Sequence, residues 1–192
     1  MADVSEAPLV RTSRLVLRAW REGDRDAFAD MNADPRVVEH LVGPVTRADS
    51  HDMVDRIEAC WRDRGYGLWA VERRDDGCFI GYVGLWPATF DAHFTPAVEV
   101  GWRLVGDHWG HGFATEGGRA ALRYGFEVVG LDEIVSFTAH GNVRSWRVME
   151  RLGMHRDEAG DFEHPSVPVG HPARAHVLYR LGRDRWTARV GR

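Results

Sequence analysis

The chain has 192 residues, of which 44% are hydrophobic, and these values predict one folded domain with a sizeable core rather than a disordered segment. The net charge of −4 gives no reason to expect a nucleic-acid partner, and no apolar run is long enough to predict a membrane span or a signal peptide. Cys60 and Cys78 lie in unrelated segments, so we expect no disulfide or CxxC site and a reducing, cytoplasmic location.

The hydrophobic pattern predicts strands and helices in a mixed order along the chain. An apolar stripe that includes Met53, Ile57 and Trp61 predicts a helix over 47–64, and Asp24 is expected to cap an earlier helix that ends near Asn32. The other predicted elements are strands at 14–20, 66–73, 78–86, 98–104, 134–139 and 175–181, a short helix opened by Pro35, a helix from 114 to the stop at Gly130, and a helix over 142–152. This order predicts a mixed α/β domain with one central sheet.

The most specific pattern lies in the segment 98–118, where a strand leads through a glycine-rich turn into a helix. Gly110 and Gly112 allow the backbone to turn sharply and to bring its N–H groups close to a ligand. Free amides at the start of a helix, reinforced by the helix dipole, form a site for an anion. The segment therefore predicts that a phosphorylated cofactor binds here.

Two common phosphate-binding loops fit this segment poorly. A Walker loop requires a lysine, and all 25 Lys and Arg residues of the chain are arginine. A dinucleotide fingerprint requires Gly-x-Gly-x-x-Gly in the first β-α turn, but Thr115 occupies the third glycine position and the segment lies in mid-chain. A Rossmann-type oxidoreductase is therefore a distant alternative.

The third pattern fits better, because Trp109-Gly-His-Gly112-Phe-Ala114 resembles the Gln/Arg-x-x-Gly-x-Gly/Ala loop of the GNAT superfamily of N-acetyltransferases, with Trp109 at the usual Gln/Arg position. The sequence that follows is similar to the branch that includes ribosomal-protein N-terminal acetyltransferases. This resemblance implies that acetyl-CoA is the cosubstrate. It also implies that the main chain of the loop holds the diphosphate, which gives as cofactor-binding residues Trp109, Gly110, His111, Gly112, Phe113, Ala114 and Thr115.

A second motif follows a predicted strand and is similar to the family's Asn-x-x-Ser/Ala … Leu-Gly-Phe helix. Here it begins at Asn142 and Ser145 and ends at Leu152-Gly153-Met154. The resemblance implies that Asn142 bonds the pantetheine arm, a role that is compatible with capping the helix. A family tendency for a basic residue on this helix implies that Arg151 contacts the nucleotide phosphates.

The resemblance covers nearly the whole chain, with a core of about 11–182, and it implies that 1–192 form a single acetyl-CoA-dependent N-acetyltransferase domain. The implied fold is a central, mostly antiparallel twisted sheet of about seven strands with helices on both faces. The sheet is splayed at its middle to admit the pantetheine arm.

Transfer of an acetyl group from a thioester to an amine requires a base, a carbonyl-binding site and a proton for the leaving thiolate. By family position, backbone N–H groups around Leu104 and Val105 are expected to hold the carbonyl. Glu99 is our leading candidate for the base, since a carboxylate on a central strand needs a partner or a function. An ion pair with Arg103 or Arg119, or a solvated edge position, are the structural alternatives.

The proton donor to the thiolate is less clearly indicated. Many family members have a tyrosine seven residues after the motif asparagine, and the residue at that position here is Met149. Ser145 is the substitute that the ribosomal branch suggests; the alternatives are that it is an ordinary capping residue in the first turn of the helix, and that water protonates the thiolate. His140 is a reserve candidate for the base, with loop capping as its alternative.

The acceptor is expected to be a primary amine, either a protein N-terminus or a small molecule, bound near the loops 90–96 and 164–175. His164, His171 and His176 match no known zinc spacing, so we expect no metal. Met149 leaves open a non-catalytic acyl-CoA sensor on the same fold. The sequence is compatible with a monomer or a homodimer, without nucleic-acid or membrane partners.

Overall fold

The computed structural model of the chain describes residues 7–43 and 45–190. Its helices are α1 (Glu22–Ala33), α2 (Pro35–Val38), α3 (Arg47–Arg64), α4 (Phe113–Tyr124), α5 (Val143–Leu152) and α6 (Arg183–Val190). Its strands are β1 (Val10–Arg11), β2 (Leu15–Arg18), β3 (Leu68–Arg73), β4 (Phe79–Ala88), β5 (Ala97–Leu104), β6 (Glu133–Ala139), β7 (His155–Arg156), β8 (Phe162–Glu163) and β9 (Ala175–Gly182). The mixed α/β class is confirmed.

The nine strands form one sheet in the order β1-β2-β3-β4-β5-β6-β9-β7, and β8 pairs with β9. All pairs are antiparallel except β5 with β6, which is parallel. The sheet thus has more strands than the expected seven or so. Three of the nine, β1, β7 and β8, are only two residues long. A two-residue strand is too short to show an alternating sequence pattern.

The helices lie on both faces of the sheet, as expected. Tyr82 of β4 packs edge to face against Phe28 of α1, with ring centroids 5.9 Å apart. The next residue, Val83, lies against α4 so closely that a Cβ on Gly117 would stand 2.8 Å from Val83 Cγ1. Since adjacent residues of a strand point to opposite faces, α1 and α4 cover opposite sides of β4.

The sheet opens between β5 and β6, which confirms the expected splay. Glu99 and Val135 form the one register pair between these strands in the described residues. One residue further along, the Ser136 hydroxyl donates a hydrogen bond of 2.9 Å to the Val100 carbonyl. Beyond that point the two strands separate, and the last residues of β5 lack a partner strand on this side.

The first helix starts earlier than its expected cap. Asp24 lies inside α1, where it forms a buried ion pair with Arg18 at 2.6 Å and accepts a hydrogen bond from the Arg21 backbone N–H. The expectation that Asp24 is the N-cap was therefore wrong. Arg18 is buried in the sheet and needs a carboxylate partner, and this tertiary contact determines where Asp24 lies.

The region after the loop helix also differs from the expectation. α4 ends at Tyr124, and 125–129 form a turn of π-helix before Gly130, whose φ of 82° ends the segment. Gly125 packs tightly here, since a Cβ on it would lie 2.6 Å from Ile134 Cδ1. The C-terminal helix α6 was not predicted; its Trp186 is buried and stacks on Phe126, with ring centroids 5.6 Å apart.

Candidate active site

A cavity of about 1450 Å³ extends through the opening between β5 and β6. It is lined by the ends of these strands, by the loop 108–112 and by the first turns of α4 and α5. The structure thus brings both sequence motifs and the leading candidate base, Glu99, to the same cavity.

The backbone N–H groups of the loop from Gly110 onward are not engaged by the described part of the protein. None of the N–H groups from Gly110 to Thr115 donates a hydrogen bond to another described residue. Gly112 is the N-cap of α4 with a φ of 81° and provides no side-chain cap, and Gly110 has a φ of 80°. Both values favour glycine, and they leave consecutive amides unengaged beside the cavity at the positive end of a helix.

The side chain of Thr115 adds a further unsatisfied group. Its Oγ1 is buried and has no hydrogen-bond partner among the described residues, although the residue lines the cavity. A buried hydroxyl without a partner is costly, so this atom is left free to bond a ligand in the cavity. Phe113 and Ala114 line the same end of the cavity.

Trp109 has a structural role in addition to its place in the loop. Its indole N–H donates a 2.8 Å hydrogen bond to the Leu104 carbonyl, and the Arg144 guanidinium lies over its ring at 4.9 Å. The side chain therefore connects the end of β5 to the loop and to α5, and it lines the cavity. Trp109 thus makes these contacts without the Gln or Arg that the family usually has at this position of the loop.

An ion pair between Arg14 and Glu116, here called the brace, supports the loop and was not predicted from the sequence. Arg14 Nη1 donates a 2.9 Å hydrogen bond to the His111 carbonyl, and its Nε and Nη2 both lie 2.7 Å from Glu116 Oε2. The other carboxylate oxygen accepts from Thr12 at 2.6 Å and from the Arg14 backbone N–H at 2.8 Å. Burial alone would raise the pKa of Glu116, but these hydrogen bonds outweigh it and lower the pKa.

The end of β5 offers one of the two expected carbonyl-binding amides. The Val105 N–H donates to the Ile80 carbonyl at 3.0 Å, and Val105 does not line the cavity. Because ladder bonds alternate along an antiparallel pair, the backbone of Leu104 is directed to the opposite side, toward the gap beside β6. Leu104 lines the cavity, so it, and not Val105, has the geometry for this role.

Glu99 lies at the point where the sheet opens, and it lines the cavity. Its carboxylate makes no hydrogen bond or ion pair with another described residue, so the ion pairs considered with Arg103 and Arg119 do not form. Removal from water raises the pKa of Glu99 to about 8. A half-buried carboxyl with a raised pKa and no protein partner is typical of a functional group.

The second motif forms the opposite wall of the cavity. Asn142 is the N-cap of α5, since its Oδ1 accepts from the Ser145 N–H at 3.3 Å, and its amide donates to Thr138 at 3.0 Å. Ser145 is therefore the capped residue and not the cap. Its hydroxyl has no hydrogen bond with another described residue, and it lines the cavity together with buried Met149.

Of the remaining candidate residues, the arginines line the cavity and His140 does not. His140 is exposed, packs edge to face on Trp146 with centroids 5.0 Å apart, and does not line the cavity. Arg151 is exposed and lines it, as do Arg147 and Arg119. In the described part of the chain none of these three arginine side chains forms an ion pair.

The two loops expected near the acceptor meet in an aromatic cluster beside β6. Phe90 stacks on Phe162 with centroids 5.8 Å apart and lies 4.5 Å from the His164 ring. Three members of this cluster line the cavity, namely Phe137, His164 and His176. Burial lowers the pKa of both histidines. Across the described residues, no group of three or more His, Cys, Asp or Glu side chains could hold a metal ion.

The family model described as "Acetyltransferase (GNAT) domain" matches residues 14–155 of the chain. This chain belongs to the GNAT acetyltransferase family. The resemblance inferred from the two motifs is thereby confirmed, and this GNAT acetyltransferase is an acyltransferase of a family that uses acetyl-CoA. No described helix combines the length and the apolar character needed to cross a bilayer.

Three known proteins illustrate the similarity. A crystal structure of an acetyltransferase from Agrobacterium tumefaciens str. C58 is 30% identical, with a TM-score of 0.74 over 91% of this chain and 94% of that one. The FsC-acetyl coenzyme A-N(2)-transacetylase of Aspergillus fumigatus is 27% identical over 95% of this chain and 80% of its own length. The ribosomal-protein-S5-alanine acetyltransferase of Vibrio fischeri is 16% identical with a TM-score of 0.68 over 94% and 99%, which shows a shared fold alone.

Proposed function

We propose that this GNAT acetyltransferase binds acetyl-CoA in the cavity between β5 and β6 and transfers the acetyl group directly to a primary amine, with Glu99 as the base. One observation carries the proposal. The unengaged amides from Gly110 to Thr115 and the unpartnered carboxyl of Glu99 line a single cavity at the opening of the sheet.

The residues present fit the chemistry of coenzyme A. The amides at the start of α4 and the Thr115 hydroxyl suit a diphosphate, because they are donors without an acceptor in the protein. Arg119, Arg147 and Arg151 supply positive charge along the same cavity for the nucleotide phosphates. Asn142 and the backbone of Leu104 suit the amide groups of the pantetheine arm and the acyl carbonyl.

When bound, acetyl-CoA supplies a thioester whose carbonyl carbon is open to attack by an amine. Glu99 accepts the proton of the attacking amine, either directly or through one water, as the nitrogen bonds to that carbon. The Leu104 N–H stabilises the negative charge that develops on the carbonyl oxygen. As the carbon–sulfur bond breaks, the Ser145 hydroxyl or a water gives the sulfur its proton.

The acceptor is a primary amine, on a protein N-terminus or a small molecule. The ribosomal-protein branch is supported by the Gly-Phe-Ala-Thr-Glu sequence after His111, but no feature of the cavity requires a protein substrate. Phe137, His164 and His176 provide an uncharged wall beside the cavity, which suits the body of an amine acceptor.

The test is release of coenzyme A from acetyl-CoA with a panel of primary amines, including peptides with free N-termini. Steady release that depends on the amine, with an acetylated product seen by mass spectrometry, is the expected result. Tight binding of coenzyme A without turnover across the panel would favour the sensor alternative that Met149 raised. Absence of both binding and turnover would contradict the proposal as a whole.

A further inference from the structure

Arg103 lies in the same cavity as Glu99 and on the same face of β5. Residues 99, 101 and 103 alternate with the buried side of the strand, so their side chains share one face. Directly opposite Arg103 is Tyr82 of β4, and the guanidinium lies over the Tyr82 ring at 5.5 Å. The cation is therefore on the α1 side of the sheet, the same side as the proposed base, whereas the phosphate-binding loop leads into α4 on the other side.

The guanidinium is held by a relay of neutral groups. Arg103 Nη1 donates a 2.8 Å hydrogen bond to Asn32 Oδ1, and Asn32 Nδ2 donates to Ser50 Oγ at 3.0 Å. Ser50 in turn donates to the Thr46 carbonyl at 3.0 Å. Asn32 and Ser50 are 2% and 0% exposed, so the relay is a fixed part of the core. It orients the arginine without neutralising its charge.

Arg103 differs in this respect from Arg36 of α2, which also lines the cavity but is paired with Asp34 and Asp107. Arg103 forms no ion pair with any acidic side chain in 7–43 or 45–190. A half-buried arginine that is held in place but lacks an anion has donors left for one, and guanidinium suits a carboxylate or phosphate.

The geometry also limits how far the anion lies from the reacting amine. Gly101 separates Glu99 from Arg103 and has no side chain, and a Cβ on it would stand 3.7 Å from Glu99 Oε1. The Glu99 carboxyl thus leans over Gly101 toward Arg103. Glu99 and Arg103 are four residues apart, which is about 13 Å along β5, and the lean of the Glu99 carboxyl shortens the gap that an acceptor must span.

We propose that Arg103 binds an anionic group on the acceptor, so that the enzyme selects primary amines carrying a carboxylate several bonds from the nitrogen. This inference rests on the proposed acetyl transfer, because it places the acceptor nitrogen at Glu99. Arg103 is then a specificity-determining residue that contacts the acceptor and does not contact coenzyme A.

The experiment compares matched acceptors. The values of kcat/KM are measured for γ-aminobutyrate and ε-aminocaproate and for their uncharged counterparts, butylamine and hexylamine. The wild-type enzyme is expected to prefer the carboxylated amines by about tenfold or more, since a charged hydrogen bond contributes about 1.5–3 kcal/mol. Arg103→Met abolishes the preference through KM, whereas Arg103→Lys keeps part of it and Arg62→Met, on an exposed site of α3, keeps all of it.

Binding provides a readout without turnover. The N-acetyl derivative of ε-aminocaproate is titrated into each enzyme saturated with coenzyme A, and Arg103→Met is expected to weaken its binding while leaving the Kd of coenzyme A unchanged. The inference is overturned if the wild type prefers the uncharged amines, or if Arg103→Met affects both acceptor classes equally. If binding of the derivative depends on Arg103, the inference is supported even where no amine is acetylated. The absence of acetylation would then contradict the proposed function and not this inference.

Discussion

Glu99 of β5 lies opposite Val135 of β6, and this is the register pair at which the two halves of the sheet meet before they separate. The carboxyl that we propose as the base therefore stands where the cavity begins. Its pKa of about 8 follows from removal from water without a compensating partner. One feature of the sheet thus positions the proposed base and opens the cavity in which we propose that the cosubstrate binds.

Glu99→Gln is expected to lower kcat/KM for the amine by about a hundredfold or more, with the Kd of coenzyme A unchanged. The carboxyl accepts a proton only when ionised, so the wild-type rate rises with pH to a plateau above about 8. The variant, assayed with the same amine, retains only the titration of the substrate itself. If the variant keeps the wild-type profile and His140→Asn loses it, the base is His140.

The same carboxyl predicts a pH dependence of stability. Folding raises its pKa from 4.5 to about 8, so folding disfavours the ionised form. The wild type is therefore at full stability, as far as this group is concerned, below the lower value, and it loses stability as the pH rises through the interval. Urea unfolding should show Glu99→Gln gaining stability relative to wild type from about pH 5 to pH 8. The exposed Glu158→Gln serves as control, and parallel curves for wild type and Glu99→Gln would contradict the prediction.

Arg14→Met removes the hydrogen bond that holds the His111 carbonyl and leaves Glu116 without its ion pair. The loop loses its brace, so the Kd of coenzyme A should rise several-fold, while kcat at saturating cosubstrate changes little. Arg73→Met removes the ion pairs of Arg73 with Asp75 and Asp76, which make no contact with the loop backbone, and is the control. Equal Kd values for the two variants would show that the brace does not position the loop.

Asn142→Ala and Ser145→Ala separate capping from ligand contact. Asn142 is the N-cap of α5, so its removal should cost about 1 kcal/mol of stability and raise the KM for acetyl-CoA. Ser145→Ala should leave the melting temperature unchanged, because Ser145 makes no cap, and should lower kcat if its hydroxyl protonates the thiolate. An unchanged kcat would assign that proton to water.

Patterns that are local in the sequence predicted their part of the structure well. The sequence predicted the helix over 47–64 because amphipathic spacing is visible within a few turns. It predicted the strand–loop–helix around Gly110 and Gly112 because glycines that adopt a positive φ stand close together in the sequence pattern. The contacts that complete the site are not local. Arg14 and Glu116 are 102 residues apart, and Arg103 and Asn32 are 71 apart, so no spacing pattern could have paired them.

Calorimetric titration of coenzyme A into Gly112→Glu tests the central claim most directly, namely that the amides between Trp109 and Ala114 hold its diphosphate. Gly77→Glu is the matched control, because Gly77 also has a positive φ, of 70°, and open space around it, but lies in the hairpin between β3 and β4. Both variants carry the same backbone strain, and only the first places a carboxylate at the start of α4. We predict that the Kd rises at least about tenfold in Gly112→Glu and is unchanged in Gly77→Glu; a Kd in Gly112→Glu equal to that of the wild type would contradict the account.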